Sequence, residues 1–288
     1  MAPTADATGV IHDIGYQRYT GPRLGRRYIV GSLYVHGLRT AFGIGRGFKA
    51  KLFPWAITGI ITVVAAVLIV IRSLSGEMPV TYPGFAEAVS VLLILFLATA
   101  APELVSRDLG AGVLPLYFSR PLRRLDYPLA KLASLTSAVW LLIVGPLLLM
   151  YAGGAFSRDD GLLGAWRELG DLVPGLLYAA MYAIVLSSLA LLVASAAKRR
   201  AFAAGAVVAA FLITTPVVGV LIELGSPHTQ QLAALGSPLT LLTGLRWWLF
   251  ESAESEIGGY GPIYGLVAVT VVASCVALLI ARYRKVAS

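Results

Sequence analysis

The stretch Leu52–Ile71 reads LFPWAITGIITVVAAVLIVI, with no charged residue in it. Lys49 and Lys51 precede it, and Arg72 follows at once. At 1.5 Å of rise per residue, a run of this length makes a helix as long as a bilayer's hydrocarbon core is thick. Five more apolar runs follow, at Phe85–Val105, Leu129–Tyr151, Leu172–Ala197, Ala201–Ile222 and Tyr260–Ala281. Each is long enough to span a membrane as a helix. The pattern predicts an all-α membrane protein with six transmembrane helices. Pro54, Pro174 and Pro262 are expected in the first turns of three of them, where a missing N–H costs little.

Composition agrees with that reading. Of 288 residues, 58% are hydrophobic and 13% charged, against about 25% charged in soluble domains. Mean hydropathy is +0.80. A soluble enzyme with one membrane anchor is excluded. The first 51 residues are too polar for a secretory signal peptide, so the first apolar run is expected to stay in the membrane.

The net charge is +8, and its distribution sets an orientation. Arg18, Arg23, Arg26, Arg27, Arg39, Arg46, Lys49 and Lys51 precede the first span. Arg107, Arg120, Arg123, Arg124 and Lys131 follow the second, Lys198, Arg199 and Arg200 separate the fourth from the fifth, and Arg282, Arg284 and Lys285 follow the sixth. Only Arg72, Arg158, Arg167 and Arg246 fall on the other side. Glu77, Asp159, Asp160, Glu168, Asp171, Glu251, Glu254 and Glu256 read as loop residues on that poorer side. The positive-inside rule then makes both termini cytoplasmic. Basic residues at the inner membrane border account for the charge, so no nucleic-acid partner is expected. Membrane lipid is.

Few residue types suit catalysis. Cys275 is the single cysteine and sits in an apolar run, where it reads as a packing residue. His12, His36 and His228 are far apart in sequence with no acid or nucleophile beside them. No metal-ligand cluster is expected. Gly43, Gly45 and Gly47 give a weak phosphate-loop pattern, but the GK[ST] ending is missing.

Residues 1–25 read as a flexible cytoplasmic N-terminus and 26–51 as an interfacial helix. One transmembrane domain is expected over 52–281, with a short tail over 282–288. On the interfacial helix, Val30, Leu33, Tyr34, Leu38, Ala41 and Phe42 share one arc, opposite Ser32, His36, Arg39 and Thr40. The Gly43–Gly47 stretch is expected to turn the chain into the membrane.

The link between the second and third spans is the richest in signal. It runs from Pro102 to Lys131 and mixes charges with Leu109, Val113, Leu114, Leu116, Tyr117 and Phe118. A plain hairpin is shorter, and an apolar face in the cytoplasm needs a partner. Glu103, Ser106-Arg107-Asp108, Gly110, Tyr117-Phe118-Ser119-Arg120-Pro121, Asp126-Tyr127 and Lys131 together resemble the ABC-2 type permease family. The likeness is to bacterial drug-export and copper-maturation-like permeases, and it extends over nearly the whole chain. It implies a coupling helix built from Glu103, Arg107, Asp108, Gly110, Val113, Leu114, Leu116 and Tyr117. It also implies two ATPase (nucleotide-binding) subunits and a second permease chain, identical or not. The ATP and its magnesium belong on the ATPase, since this chain carries no Walker sequence and binds no cofactor of its own. The implied location is the bacterial cytoplasmic membrane.

Trp247 and Trp248 are expected as interface anchors within short re-entrant outer helices between the fifth and sixth spans. Ser90, Thr99, Thr214 and Thr215 are the expected translocation-path residues, with Pro216 and Pro146 kinking their spans. Ala201, Gly205 and Ala209 mark a close-packing face, read first as internal packing and second as a dimer seam. Glu87, Glu103 and Glu223 are expected at water-accessible span ends. With no charge at mid-membrane, an ion-coupled carrier is disfavoured. The weakly polar path suits an amphipathic or hydrophobic cargo. Two other classes compete. An accessory or channel-like membrane subunit would lack an ATPase partner. A lipid-modifying membrane enzyme would need clustered His, Asp or Glu at a membrane face.

Overall fold

The computed structural model describes residues 21, 24–112, 116–117, 122–157, 161–197, 199–251 and 257–286. Most of the expected N-terminal segment, residues 1–25, lies outside them. Among the described residues there is no strand, and six helical stretches are long and apolar enough to cross a membrane.

In chain order, α1 is Arg26–Ala41, α2 Phe48–Ser75, α3 Tyr82–Ala88, α4 Ser90–Leu104 and α5 Ser106–Gly110. They are followed by α6 (Asp126–Ser157), α7 (Gly161–Ala196), α8 (Arg200–Leu212) and α9 (Thr214–Leu224). The short α10 (Pro227–Ala233) and α11 (Pro238–Arg246) come next, then a π-helical turn at Trp247–Glu251, and last α12 (Gly261–Val286). The membrane-length stretches are α2, α4–α5, α6, α7, α8–α9 and α12.

The centre of the bundle is α4, α6 and α7. Their most apolar windows are 67%, 50% and 56% buried, against 22%, 17% and 22% for α2, α8–α9 and α12. Packing explains the difference. Helices α6 and α7 lie against each other, α2 rests on α6, α8 on α4, and α12 on α7. The outer three turn Trp55, Val63, Phe202, Val217, Leu266 and Val269 outward. In a bilayer such side chains meet lipid at no cost.

Helix α1 lies across α6 and α4. Its buried residues are Leu33, Gly37, Thr40 and Ala41, and Val30, Leu38 and Phe42 pack against the same core, so the expected arc holds except that Thr40 faces inward with it. The reason is Gly37, whose missing Cβ lets the helix sit on Ser134 of α6. The Ser134 hydroxyl lies 2.8 Å from the Tyr34 carbonyl and 2.7 Å from that of Ala130. Helix α1 ends in a Schellman turn. Ile44 N–H donates to Arg39 O at 2.8 Å and Gly43 N–H to Thr40 O at 3.0 Å. Gly43 has φ +68° there, and a Cβ would run into the Ala50 carbonyl.

Several helix boundaries differ from the sequence reading. Helix α2 starts at Phe48, so Pro54 lies inside it and not in its first turn. The Thr58 hydroxyl donates to the Pro54 carbonyl at 2.9 Å. Helix α7 begins at Gly161, well before Leu172, and Pro174 is again internal. Glu168, read as a loop acid, is a buried residue of that helix. Arg72 is likewise in the last turn of α2. Pro262 does sit at the start of α12. The second span is distorted at Val89 and Val105, where the helix is interrupted but its hydrogen bonding goes on, Leu93 to Val89 and Leu109 to Val105, each at 3.1 Å. The fifth is interrupted at Ile213, three residues ahead of Pro216.

Candidate functional site

Glu103 is in the last turn of α4, and its side chain is 7% exposed. A buried carboxylate must be paired to stay charged. Arg46, from the turn between α1 and α2, meets it through one terminal nitrogen. Arg107, one turn further along, lies 3.4 Å away. Arg200, the first residue of α8, reaches the other carboxylate oxygen. Two segments distant in sequence thus converge with a neighbour one turn away on one anion. This corrects the expectation that Glu103 faces water.

Next to it, Asp108 of α5 takes Lys131 Nζ at 3.0 Å and the Tyr127 hydroxyl at 2.6 Å. Lys131 is on α6, and its side chain is 4% exposed. Its ammonium also stands 5.3 Å from the Tyr127 ring centre, a cation–π contact. The Tyr127 ring is flanked by Tyr117 at 5.5 Å and Tyr283 of α12 at 5.2 Å. Asp126 accepts Arg26 Nε and Nη2 at 2.6 and 2.5 Å, and the Arg123 N–H at 2.9 Å. That bidentate pair fastens the start of α1 to the start of α6. The Ser106 hydroxyl donates to the Ala194 carbonyl at 2.8 Å, tying α5 to α7.

Some of these groups line a cavity of about 780 Å³. Arg46, Glu103, Arg107, Asp108 and Lys131 form its polar side, and Ile29, Leu33, Leu116 and Leu122 its apolar side. His36 is at its rim, with a pKa held below the ordinary imidazole value. Partial burial is the largest cause. The charge of Lys131 comes next, Arg46 and Arg107 add to it, and Asp108 opposes.

Of the residues expected at the link, Glu103, Arg107 and Asp108 come together here. Gly110 closes α5. Tyr117 packs on Tyr127. Leu116 is 69% exposed. Val113 and Leu114, like Phe118–Pro121, lie outside the described residues. Sequence reasoning missed Arg46 and Arg200 as partners of Glu103. Both were visible only as border cations, because their pairing depends on how distant segments pack.

The expected path residues do not gather in one place. Ser90 is half-buried at the start of α4. The Thr99 hydroxyl donates to the Phe96 carbonyl of its own helix at 2.9 Å. Thr214 and Thr215 reach the Ser237 hydroxyl at 3.2 and 3.4 Å, joining the start of α9 to the start of α11. Gly205 is exposed with nothing near its Cβ position, while Ala203, Val207 and Phe211 make the buried face of α8. The small-residue face therefore points away from the bundle, which corrects its reading as internal packing.

At the opposite end of the bundle, Glu168 binds Arg72 at 2.6 and 2.8 Å and the Tyr82 hydroxyl. Glu87 binds Arg246 at 2.8 Å and the Tyr178 hydroxyl at 2.6 Å. Glu87 is thus a paired residue rather than a water-facing one, whereas Glu223 is exposed. Trp247 is partly buried, and Trp248 rests on Gly261 and Gly265 of α12, where a Cβ would strike its ring. Gly244 similarly makes room for the Tyr264 ring. Among the described residues, no group of His, Cys, Asp and Glu is placed to hold a metal.

No family model matches the chain, and neither does any curated protein.

Proposed function

We propose that this chain is the membrane-spanning permease subunit of an ATP-binding cassette exporter, powered by ATPase subunits on separate chains. In this reading the basic end is cytoplasmic, α1 is the interfacial elbow helix, and the coupling segment lies in the Pro102–Lys131 link, from Glu103 to Tyr117. The chain sits in a bacterial cytoplasmic membrane with a second permease chain beside it. An amphipathic or hydrophobic compound is moved outward between the two.

The observation that carries this reading is the mechanical arrangement of the link. Its carboxylates are turned into the bundle, where Glu103 and Asp108 are tied to α1–α2, α6 and α8. Leu116, which lines the cavity beside them, is left largely exposed. An exposed apolar side chain on a stiff support suits a docking surface. A push at Leu116 and Tyr117 passes through Tyr127 and Asp108 to α6, and through Glu103 to α2 and α8. ATP-driven closure of the partner ATPases would supply the push.

The test is co-purification of the tagged chain from its native membrane in mild detergent. The expected partners are a soluble chain with a Walker sequence and ATPase activity, and a second permease. Leu114→Asp combined with Tyr117→Asp should abolish ATPase association and leave membrane insertion intact. Unchanged ATPase affinity in that variant would sink the coupling assignment. Recovery without any ATPase across several detergents would favour an accessory or channel-like subunit.

A further inference from the structure

We infer that the cavity at the basic end is a binding site for a phosphate-bearing anion, gripped by Arg46, Arg107 and Lys131 with Arg200 behind them. This does not rest on the exporter reading.

The argument begins with charge. Four cations, Arg46, Arg107, Arg200 and Lys131, are held against two carboxylates, Glu103 and Asp108. Two positive charges are left over, and they fall on the outer cations, Arg107 at 57% and Arg200 at 61% exposed. The Lys131 side chain is 4% exposed and that of Arg46 is 25%. A surplus of cations around an open cavity raises the local concentration of anions. His36 at the rim responds to the same surplus, since Lys131, Arg46 and Arg107 all oppose its protonation.

Donor geometry gives the class of ligand. Each of the three guanidiniums meets Glu103 through a single terminal nitrogen. A guanidinium has five N–H donors in a fixed fork suited to phosphate oxygens. The Glu103 contact therefore orients the three forks without exhausting them. Arg107 is the most available of the cavity's cations, 57% exposed and at 3.4 Å from Glu103.

Shape and place complete the case. The cavity is open and about 780 Å³ in volume, lined by the cations Arg46, Arg107 and Lys131, the carboxylates Glu103 and Asp108, and the apolar Ile29, Leu33, Leu116 and Leu122. It lies where the membrane-length helices α2, α4–α5 and α6 have their basic ends. Basic pockets between helices at a membrane border are suited to anionic head groups. A lipid phosphodiester and a soluble phosphate share this chemistry, and the experiment separates them.

The full-length chain in neutral detergent is unfolded thermally while phosphatidylglycerol, phosphatidylcholine or inorganic phosphate is titrated in. The midpoint should rise with phosphatidylglycerol or with inorganic phosphate, and not with phosphatidylcholine. A rise with phosphatidylglycerol alone assigns the site to lipid, and one with inorganic phosphate assigns it to a soluble anion. Arg107→Gln should raise the half-saturating concentration about tenfold, the worth of one charged hydrogen bond. Arg200→Gln should shift it in the same direction, so that one well-folded variant suffices. Arg39→Gln removes the same charge from an exposed position outside the cavity and should leave binding unchanged. The proposal is overturned if no anion raises the midpoint, if phosphatidylcholine acts as phosphatidylglycerol does, or if Arg39→Gln weakens binding as much as Arg107→Gln.

Discussion

Glu103 is a carboxylate near the end of an otherwise apolar helix, and burial decides what its loss would do. Removing this carboxylate leaves three arginines without their anion, but Arg107 and Arg200 are more than half exposed and stay hydrated, so the cost is about 1–3 kcal/mol. Glu103→Gln should therefore lower the thermal midpoint in detergent. Glu223→Gln should stay within about 0.5 kcal/mol of the parent, because Glu223 is exposed. Equal midpoints for the two variants would mean that Glu103 is solvated. His36 offers a pH test. Its folded pKa is depressed, and an unfolded imidazole titrates near about 6.5. Between those two values the unfolded chain binds the extra proton, so stability is full above the unfolded value and falls as pH drops towards the folded one. In a histidine-resolved NMR titration, His36 should have a midpoint below that of a free imidazole, and Arg107→Gln should move it upward. At this scale the sequence was only half legible. Glu103, Arg107 and Asp108 stood out because charges are rare beside apolar runs. Their partners did not, since Arg46 and Arg200 are ordinary border cations until packing places them on Glu103.

Helix α1 shows what sequence pattern can and cannot say about an element. Its existence follows from the residues, and so does its rotation, apart from Thr40. The arc of Val30, Leu33, Leu38, Ala41 and Phe42 packs on the core, and Gly37 and Thr40 join it because Gly37 allows a close approach to Ser134. Two glycines of the same helix then give opposite predictions. Gly31 is exposed with open space at its Cβ position, so Gly31→Ala should stabilise the protein by about 0.5–1 kcal/mol. At Gly37 a Cβ would run into the Ser134 side chain, with the Ser134 Cβ 2.8 Å away. Gly37→Ala should destabilise by about 1–3 kcal/mol and open α1 to proteolysis. Adding Ser134→Gly should restore much of that loss, a coupling that a double-mutant cycle measures. Purely additive effects would place α1 elsewhere. The boundaries of α2 and α7 were misread for a related reason. Both helices run past their apolar stretches, and at the end opposite the cavity it is the Arg72–Glu168 pair that lets polar residues continue a helix.

For the whole molecule, six membrane-length helices were legible because a bilayer demands long apolar runs, whatever packs against them. Which helices form the centre was not, since α2 and α12 are as apolar as α6 and α7. Orientation is argued from charge, and it has a direct test that uses the one cysteine. Cys275 is buried in α12 with 4% of its surface exposed, so it should resist a membrane-impermeant maleimide in the folded protein. Lys49 and Glu77 are both exposed and lie at opposite ends of α2. In intact cells, Glu77→Cys should label and Lys49→Cys should not. Lys49→Cys should label once the membrane is permeabilised. The reverse pattern would put the charged cavity and Leu116 outside, where no cytoplasmic ATPase can reach them, and the exporter reading would fall. Anion binding at Arg46, Arg107 and Lys131 would survive that result, because an outer leaflet or periplasm also offers phosphate groups. The labelling experiment thus separates the two proposals: it bears on what drives this protein and leaves open what its basic pocket holds.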